Sequence, residues 1–243
     1  MMKKIFGRPK SLRNIATHYC PGCGHGIAHR LIAEVVDELK VREKVIAVAP
    51  VGCAVIAYDY WDFDCSEAAH GRTLAVATAI KRVRPENIVF TYQGDGDLAA
   101  IGTNETLHAA NRGENLTVVF MNNAVYGMTG GQMAPTTLLG QKTATTPKGR
   151  ESRLHGWPLK ISEMLALLSG VKYVERTSLY SPQEVLKTKK AIKQAFKNQI
   201  DGIGFSLVEV LSPCPTYWDM PPREALDWIK EEMVKEFPLG RIK

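Results

Sequence analysis

Residues Tyr92 to Gln132 read YQGDGDLAAIGTNETLHAANRGENLTVVFMNNAVYGMTGGQ, and the fold is decided there. The apolar run Ile88-Val89-Phe90-Thr91 enters a turn of alternating glycines and acids, Gly94-Asp95-Gly96-Asp97. A segment with helical spacing follows, Ile101 to Arg112, then a second strand-like run, Leu116 to Met121, ending in Asn122-Asn123. The order is strand, loop, helix, strand. A right-handed crossover lays two such strands parallel, with both carboxyl ends on one edge. Open α/β sheets bind their ligands on that edge. Glycines let backbone amides approach a phosphate closely, but an acid among them binds a phosphate only through a cation. Asp95 and the amide oxygen of Asn123 are hard oxygen donors of the kind Mg²⁺ takes when it shares its shell with phosphates. The stretch therefore predicts a magnesium-bridged diphosphate.

The same alternation continues on both sides. Upstream lie an amphipathic helix with Ile27, Leu31, Ile32, Val35, Val36 and Leu39 on one face, a short strand at Val45 to Ala49, and an alanine-rich helix from Thr73 to Val83 that Pro85 stops. Tyr58 to Asp64 reads as a loop. Downstream the pattern predicts helix Ile161–Leu168, strand Val171–Glu175, helix Pro182–Asn198, strand Gly204–Val210 and a final helix from Arg223 to Lys235. Residues 1–19 read as an extended entry arm. Residues 124–160 carry no period and are rich in Gly, Thr, Pro and Lys, and a loop of that length in a compact domain is usually functional. With no repeat and no low-complexity linker, the expectation over residues 1–243 is a single α/β domain with a doubly wound, mainly parallel sheet.

A chain of 243 residues that is 45% hydrophobic and 23% charged has the composition of a globular protein. No apolar run reaches the roughly 20 residues that cross a bilayer. The opening MMKKIFGRPKSLRN is basic with no apolar stretch behind it, which is no secretory signal and points to the cytoplasm. The net charge of +6 is spread among acids, without an arginine-rich arm, so neither nucleic acid nor membrane is expected as a partner. A basic surface equally suits a phosphate-rich cofactor or an acidic protein.

Five cysteines without a signal argue for metal or redox use rather than a disulfide scaffold. Cys20 and Cys23 sit in the turn CPGCGHG before the first helix; Cys53 and Cys214 each follow a predicted strand. Strand ends share the edge that carries the GDGD turn, whereas the position of the CPGC turn is left undetermined by the sequence. Four thiolates suit either a structural zinc or an iron–sulfur cluster.

GDG followed at this distance by NN resembles the signature of thiamine diphosphate enzymes. CPGCGHG, Gly52-Cys53, His70-Gly71-Arg72, GDGD…NN and the late Pro213-Cys214-Pro215-Thr216 together, and in this order over nearly the whole chain, resemble the β subunit of 2-oxoacid:ferredoxin oxidoreductases. The resemblance implies the thiamine diphosphate-binding fold. It implies Mg²⁺ held by Asp95, Asn123 and the carbonyl of Val125, and a 4Fe–4S cluster on Cys20, Cys23, Cys53 and Cys214, with Cys65 outside the set. Gly52, Cys53, Gly94, Asp95, Gly96, Asp97, Asn123, Val125, Gly127, Met128 and Thr129 are the implied cofactor contacts, and His70 and Arg72 the implied catalytic residues. The implied activity is oxidative decarboxylation of a 2-oxoacid to acyl-CoA, with coenzyme A as co-substrate and electrons passed to ferredoxin or a ferredoxin-like subunit. A separate α subunit would bring the pyrimidine-binding domain and its activating glutamate, and the resemblance leaves room for a γ subunit. The basic loop from Lys142 to Arg153 suits subunit docking, a coenzyme A phosphate or plain solvation. The apolar residues after Cys53, with no lysine near, tilt the substrate toward branched-chain acids over 2-oxoglutarate. Two alternatives stand beside this: a non-oxidative thiamine decarboxylase or carboligase subunit, and a zinc-stabilised binding module.

Overall fold

Seven strands form one sheet, and its carboxyl edge carries the GDGD turn, the double Asn and the segments of Cys53 and Cys214. The computed structural model describes residues 6–243, so the expected entry arm is seen only from residue 6 and residues 1–5 lie outside the described ones. In chain order the elements are α1 (His25–Leu39), β1 (Val45–Ala49), β2 (Asp64–Glu67), α2 (Thr73–Val83), β3 (Ile88–Gly94), α3 (Thr103–Asn111), β4 (Thr117–Asn122), α4 (Ser152–His155), α5 (Ile161–Ala166), β5 (Val171–Ser178), α6 (Pro182–Ile200), β6 (Phe205–Leu211), α7 (Pro215–Trp218), α8 (Pro222–Trp228) and β7 (Gly240–Arg241). The strand order is β2-β1-β3-β4-β6-β5-β7. All neighbours are parallel except β7, which pairs antiparallel with β5.

Both faces of the sheet are covered, as a parallel sheet requires. Phe90, Tyr92, Val119 and Val208 point to one side, against Ile32 and Val36 of α1 and Ile192 and Phe196 of α6. Val89, Val118, Phe205 and Leu207 point to the other, against Leu74 of α2, Ala109 and Ala110 of α3, and Leu165 of α5. Successive side chains of a strand face opposite ways, so the near-continuous apolar runs of β3, β4 and β6 feed two cores. The start of α6 is written locally: Ser181 accepts from the amide of Glu184 at 3.3 Å and Pro182 occupies the first turn.

Four sequence expectations need correction. Asp64 to Glu67, at the end of the expected loop and just beyond it, forms edge strand β2, whose polar DCSE carries no apolar alternation. Two-residue β7 was equally invisible, because strands that short have no period. The helix expected from Ile101 begins earlier, as a wide turn over Asp97–Ile101 that leads into α3. Likewise the last helix starts at Pro222, and continues past α8 through Ile229–Met233 to Glu236.

Apart from α4, the segment 124–160 has no regular element, and one buried side chain organises it. Arg150 is 5% exposed. Its guanidinium donates to the carbonyls of Ala134, Pro135, Thr137, His155, Gly156 and Trp157, at 2.6 to 3.3 Å. Burial lowers its pKa from the ordinary arginine value. Carbonyl dipoles, rather than a carboxylate, surround it. Arg150 is thus not available to an external phosphate, while Lys142, Lys148 and Arg153 are exposed.

Candidate active site

The turn after β3, the end of β4 and the loop after β1 enclose a cavity of about 260 Å³. Gly94, Asp95, Gly96 and Asp97 form one wall; Asn123, Val125, Gly127, Met128 and Thr129 form another; Gly52 and Cys53 close it, with His25 and His70. Every cofactor contact expected from the sequence is therefore on this wall. Of the two expected catalytic residues only His70 is. Arg72 turns away and pairs with Glu105, its side chain 49% exposed.

Asp95 is 2% exposed. The amide of Asn123 donates to its Oδ1 at 3.2 Å and the hydroxyl of Thr136 donates to Oδ2. Burial pushes its carboxyl up to about 7 against these two bonds, which pull it down. A buried carboxylate with only neutral donors around it lacks its counter-charge. A divalent cation shared with the amide oxygen of Asn123 and the carbonyl of Val125 supplies that charge, so these residues fit Mg²⁺. The backbone carrying the last two is braced from several sides. Ala124, between them, has a left-handed φ of 56°. Its amide donates to Asn122 Oδ1 at 3.2 Å, its carbonyl accepts from Thr137 at 2.6 Å, and the Trp218 indole donates to the Asn123 carbonyl at 3.0 Å.

Asp97 lines the cavity, but its oxygens are already engaged: they meet His70 Nδ1 at 2.9 Å, the Gly71 amide at 2.6 Å, the Thr73 hydroxyl at 2.6 Å and the Gln93 amide at 2.7 Å. Its work is to lock the HGR turn onto the GDGD turn and to orient His70. Thr129 likewise gives its hydroxyl proton to Gln132, at 2.6 Å.

A second cavity, of about 130 Å³, shares Cys53, Asn123, Gly127 and Met128 with the first and is lined by Cys20, Cys23, Cys53 and Cys214. All four expected cysteines meet there; Cys65 stays away on β2. The position of the CPGC turn follows from topology. A helix that feeds a parallel strand runs opposite to it, so α1 starts at the carboxyl edge. Close packing then seats the turn. Gly22, at φ +79°, leaves no room for a side chain, since a methyl there would lie 2.6 Å from Pro222; one on Gly24 would lie 2.3 Å from Ser212 Oγ. Burial raises the Cys23 thiol to about 11, against a bond from the His25 amide, and Cys53 and Cys214 to about 12. Mutual repulsion of the sulfurs adds to each. Among the described residues no three His, Cys, Asp or Glu side chains converge to hold a single metal ion. Gly127 is the partition between the cavities: a methyl on it would stand 3.2 Å from Cys53 Sγ, 3.6 Å from Cys214 Sγ and 3.7 Å from Asn123 Nδ2.

Several contributors escaped the sequence. Thr136, Thr137 and Trp218 sit in unpatterned segments, and Asn122 looked like half of a motif rather than a brace. Only the double Asn signalled the last of these.

Residues 51–210 match the family described as thiamine pyrophosphate enzyme, C-terminal TPP binding domain. The chain is 51% identical over 253 aligned residues to the ketoisovalerate oxidoreductase subunit VorA of Methanothermobacter thermautotrophicus, covering 100% of this chain and 53% of that one. It thus spans about half the length of that relative. It is 41% identical over 217 residues to the 2-oxoglutarate synthase subunit KorB of Archaeoglobus fulgidus, covering 89% of this chain and 77% of the other. A 2-oxoglutarate:ferredoxin oxidoreductase from Magnetococcus marinus, solved with 2-oxoglutarate, coenzyme A and succinyl-CoA bound, superposes with a TM-score of 0.76 at 30% identity, over 88% of this chain and 70% of that one. The parallel sheet, the glycine-acid turn facing a double Asn and these likenesses together establish that the chain belongs to the thiamine pyrophosphate-binding subunits of the 2-oxoacid:ferredoxin oxidoreductase family.

Proposed function

We propose that this chain is the cofactor-bearing β subunit of an oxidoreductase that converts a 2-oxoacid and coenzyme A to acyl-CoA and CO₂, passing electrons to ferredoxin. The observation that carries it is the shared wall: Cys53, Asn123, Gly127 and Met128 border both the cavity of Asp95 and the cavity of the four cysteines. Asp95, Asn123 and Val125 would hold Mg²⁺, and the amides around Gly94, Gly96 and Gly127 would cradle a diphosphate. Thiamine diphosphate bound there would supply the carbanion chemistry, and Cys20, Cys23, Cys53 and Cys214 would hold a 4Fe–4S cluster supplying one-electron transfer. Four thiols lining one cavity next to the cofactor cavity support a redox cluster, and a non-oxidative decarboxylase has no use for them.

The chain's own residues do the positioning. His70, oriented by Asp97, lines the cavity beside Gly96. Among the described residues no glutamate lines the cavity, in keeping with a partner α subunit that brings the carboxylate activating the aminopyrimidine, and ferredoxin takes the electrons. No helix among the described residues is long and apolar enough to cross a membrane; we place the protein in the cytoplasm, as one domain.

The substrate is a branched-chain 2-oxoacid. Val51, Ala54, Ala100, Ile101 and Met121 line the cavity, and among the described residues no lysine or arginine does, leaving the distal carboxylate of 2-oxoglutarate without a counter-charge from them. The relative at 51% identity is named for ketoisovalerate. The test is anaerobic purification with the partner subunits, iron and sulfide analysis, and coenzyme A-dependent viologen reduction over a panel of 2-oxoacids. Reduction fastest with branched-chain acids is expected. Zinc in place of iron, or decarboxylation without viologen reduction, would overturn the redox assignment.

A further inference from the structure

His25 opens α1, is 3% exposed and lines the larger cavity. Its ring is fixed on two sides. One face stacks on Tyr19, with centroids 4.7 Å apart and planes 11° from parallel, and Nδ1 lies 2.7 Å from the Tyr92 hydroxyl. That hydroxyl has no other hydrogen-bond partner among the described residues. Sealed in the core, it satisfies its proton by donating to Nδ1, which puts the imidazole proton on Nε2. Nε2 has no partner among the described residues, yet it is not one of the sealed orphan atoms; that position in this aromatic network belongs to His29 Nδ1. His25 therefore turns an N–H into the cavity. His70, the other imidazole on the wall, is tied to Asp97 at the Gly96 end. Cys23, two residues before it, lines the second cavity, so this residue sits close to where the two cavities adjoin.

We propose that His25 is a substrate-binding residue whose Nε2–H hydrogen-bonds the 2-oxo oxygen of the acid, with Tyr92 as its positioning residue. The proposal rests on the reading of this cavity as the thiamine site. The 2-oxo oxygen is the atom that gains negative charge when its carbon is attacked. A fixed donor aimed at such an atom stabilises the transition state without reorganising. The Tyr92 hydroxyl holds the tautomer and Tyr19 holds the ring plane, which is the pre-organisation that role needs.

The test compares the assembled wild-type enzyme with His25→Leu, His25→Gln and Tyr92→Phe. Bound thiamine diphosphate is measured as thiochrome fluorescence, iron is counted, and affinity is measured for isobutyrylphosphonate, an analogue of the branched-chain 2-oxoacid that keeps its 2-oxo oxygen but cannot lose CO₂. Cofactor and iron contents stay at wild-type levels. His25→Leu weakens phosphonate binding by about tenfold or more and lowers kcat/KM by roughly a hundredfold, the size of a lost oxyanion donor. His25→Gln retains a donor and recovers most of the loss. Tyr92→Phe, which frees the tautomer and leaves the packing, weakens binding by about threefold or more. Unchanged phosphonate binding in His25→Leu, or equal losses in the Leu and Gln variants, would overturn the assignment. If His25→Leu does not assemble, wild-type binding in Tyr92→Phe overturns it instead. A wild-type enzyme without thiamine diphosphate would overturn the cavity reading and this assignment with it.

Discussion

The side-chain amide of Asn122 donates to Glu209 Oε1 at 2.7 Å, joining the carboxyl ends of neighbouring strands β4 and β6 beneath the expected metal loop. Glu209 is held in turn by Ser162 at 2.5 Å and Arg176 at 2.8 Å, so it is an immobile anchor. Through its other side-chain atom, Asn122 accepts the amide of Ala124 and stabilises that residue's left-handed conformation. The two asparagines of the motif thus divide the work: Asn122 braces, and Asn123 faces the cavity.

Replacing Asn122 with Ala removes both bonds at once and leaves a buried carboxylate oxygen unpartnered. A loss of about 2 kcal/mol in folding stability is expected, together with weaker retention of thiamine diphosphate. Thermal melts and thiochrome fluorescence report the two effects. A variant that melts normally and keeps its cofactor would show that Asn122 braces nothing.

Asp95→Asn keeps the bond from the Asn123 amide but removes the charge a cation needs. Thiamine diphosphate retention should become independent of Mg²⁺ and fall at least tenfold, while iron content stays, since the thiols line the other cavity. Mg²⁺-dependent cofactor binding in this variant would contradict the placement of the metal.

Gly127→Ala puts a methyl 3.2 Å from Cys53 Sγ, tighter than ordinary contact, and 3.6 Å from Cys214 Sγ, an ordinary contact. The Cys53 sulfur must give way. The expected outcome is iron content at or below half of wild type, or a shifted visible and EPR spectrum, with global stability lowered by about 1–3 kcal/mol. An unaltered spectrum at full iron occupancy would mean that the wall between the cavities is looser than the geometry indicates.

His29 supplies a pH dependence. Burial first, then the nearby His25 and His18, lowers its pKa well below the ordinary imidazole value. Around it stand Tyr19, Tyr60, Trp61 and Tyr92, with no carboxylate. The folded chain keeps this imidazole neutral while the unfolded chain protonates it, so its stabilising contribution is fully present above about pH 6.5 and is lost as pH falls. The slope tends to at most about 1.4 kcal/mol per pH unit below that point. Denaturant melts between pH 7.5 and 5 should show this slope reduced in His29→Gln. An identical slope in the variant would assign the acid sensitivity elsewhere.

Arg150→Met leaves six carbonyls without their shared donor. Limited proteolysis should then cut within 134–157 at least tenfold faster, and cofactor affinity should drop, because Thr136 reaches Asp95 from this segment. Arg150→Lys should not rescue it, since an ammonium has too few donors and no planar fork. A protease-resistant Met variant would refute the staple.

Much of this arrangement was legible before any coordinates. Thr73–Val83 and Val45–Ala49 agree residue for residue with the periodicity of the chain, because apolar spacing directly encodes which face is buried. The same spacing could not reveal β2 or β7, one polar and one only two residues long. It also gave no warning that Arg72, two residues from His70, would turn outward to Glu105.

By itself the sequence determined the alternation of strands and helices, the edge on which the GDGD turn and the double Asn would face each other, and the donor chemistry found there. These depend on side-chain period and turn residues, which act over a few positions. Tertiary structure alone decided that Cys20 and Cys23 join Cys53 and Cys214 around one cavity, that Gly127 separates it from the cavity of Asp95, and that Arg150 gathers the long loop. Those meetings bring together residues far apart in the chain, and they exist only where close packing leaves one way for the segments to touch.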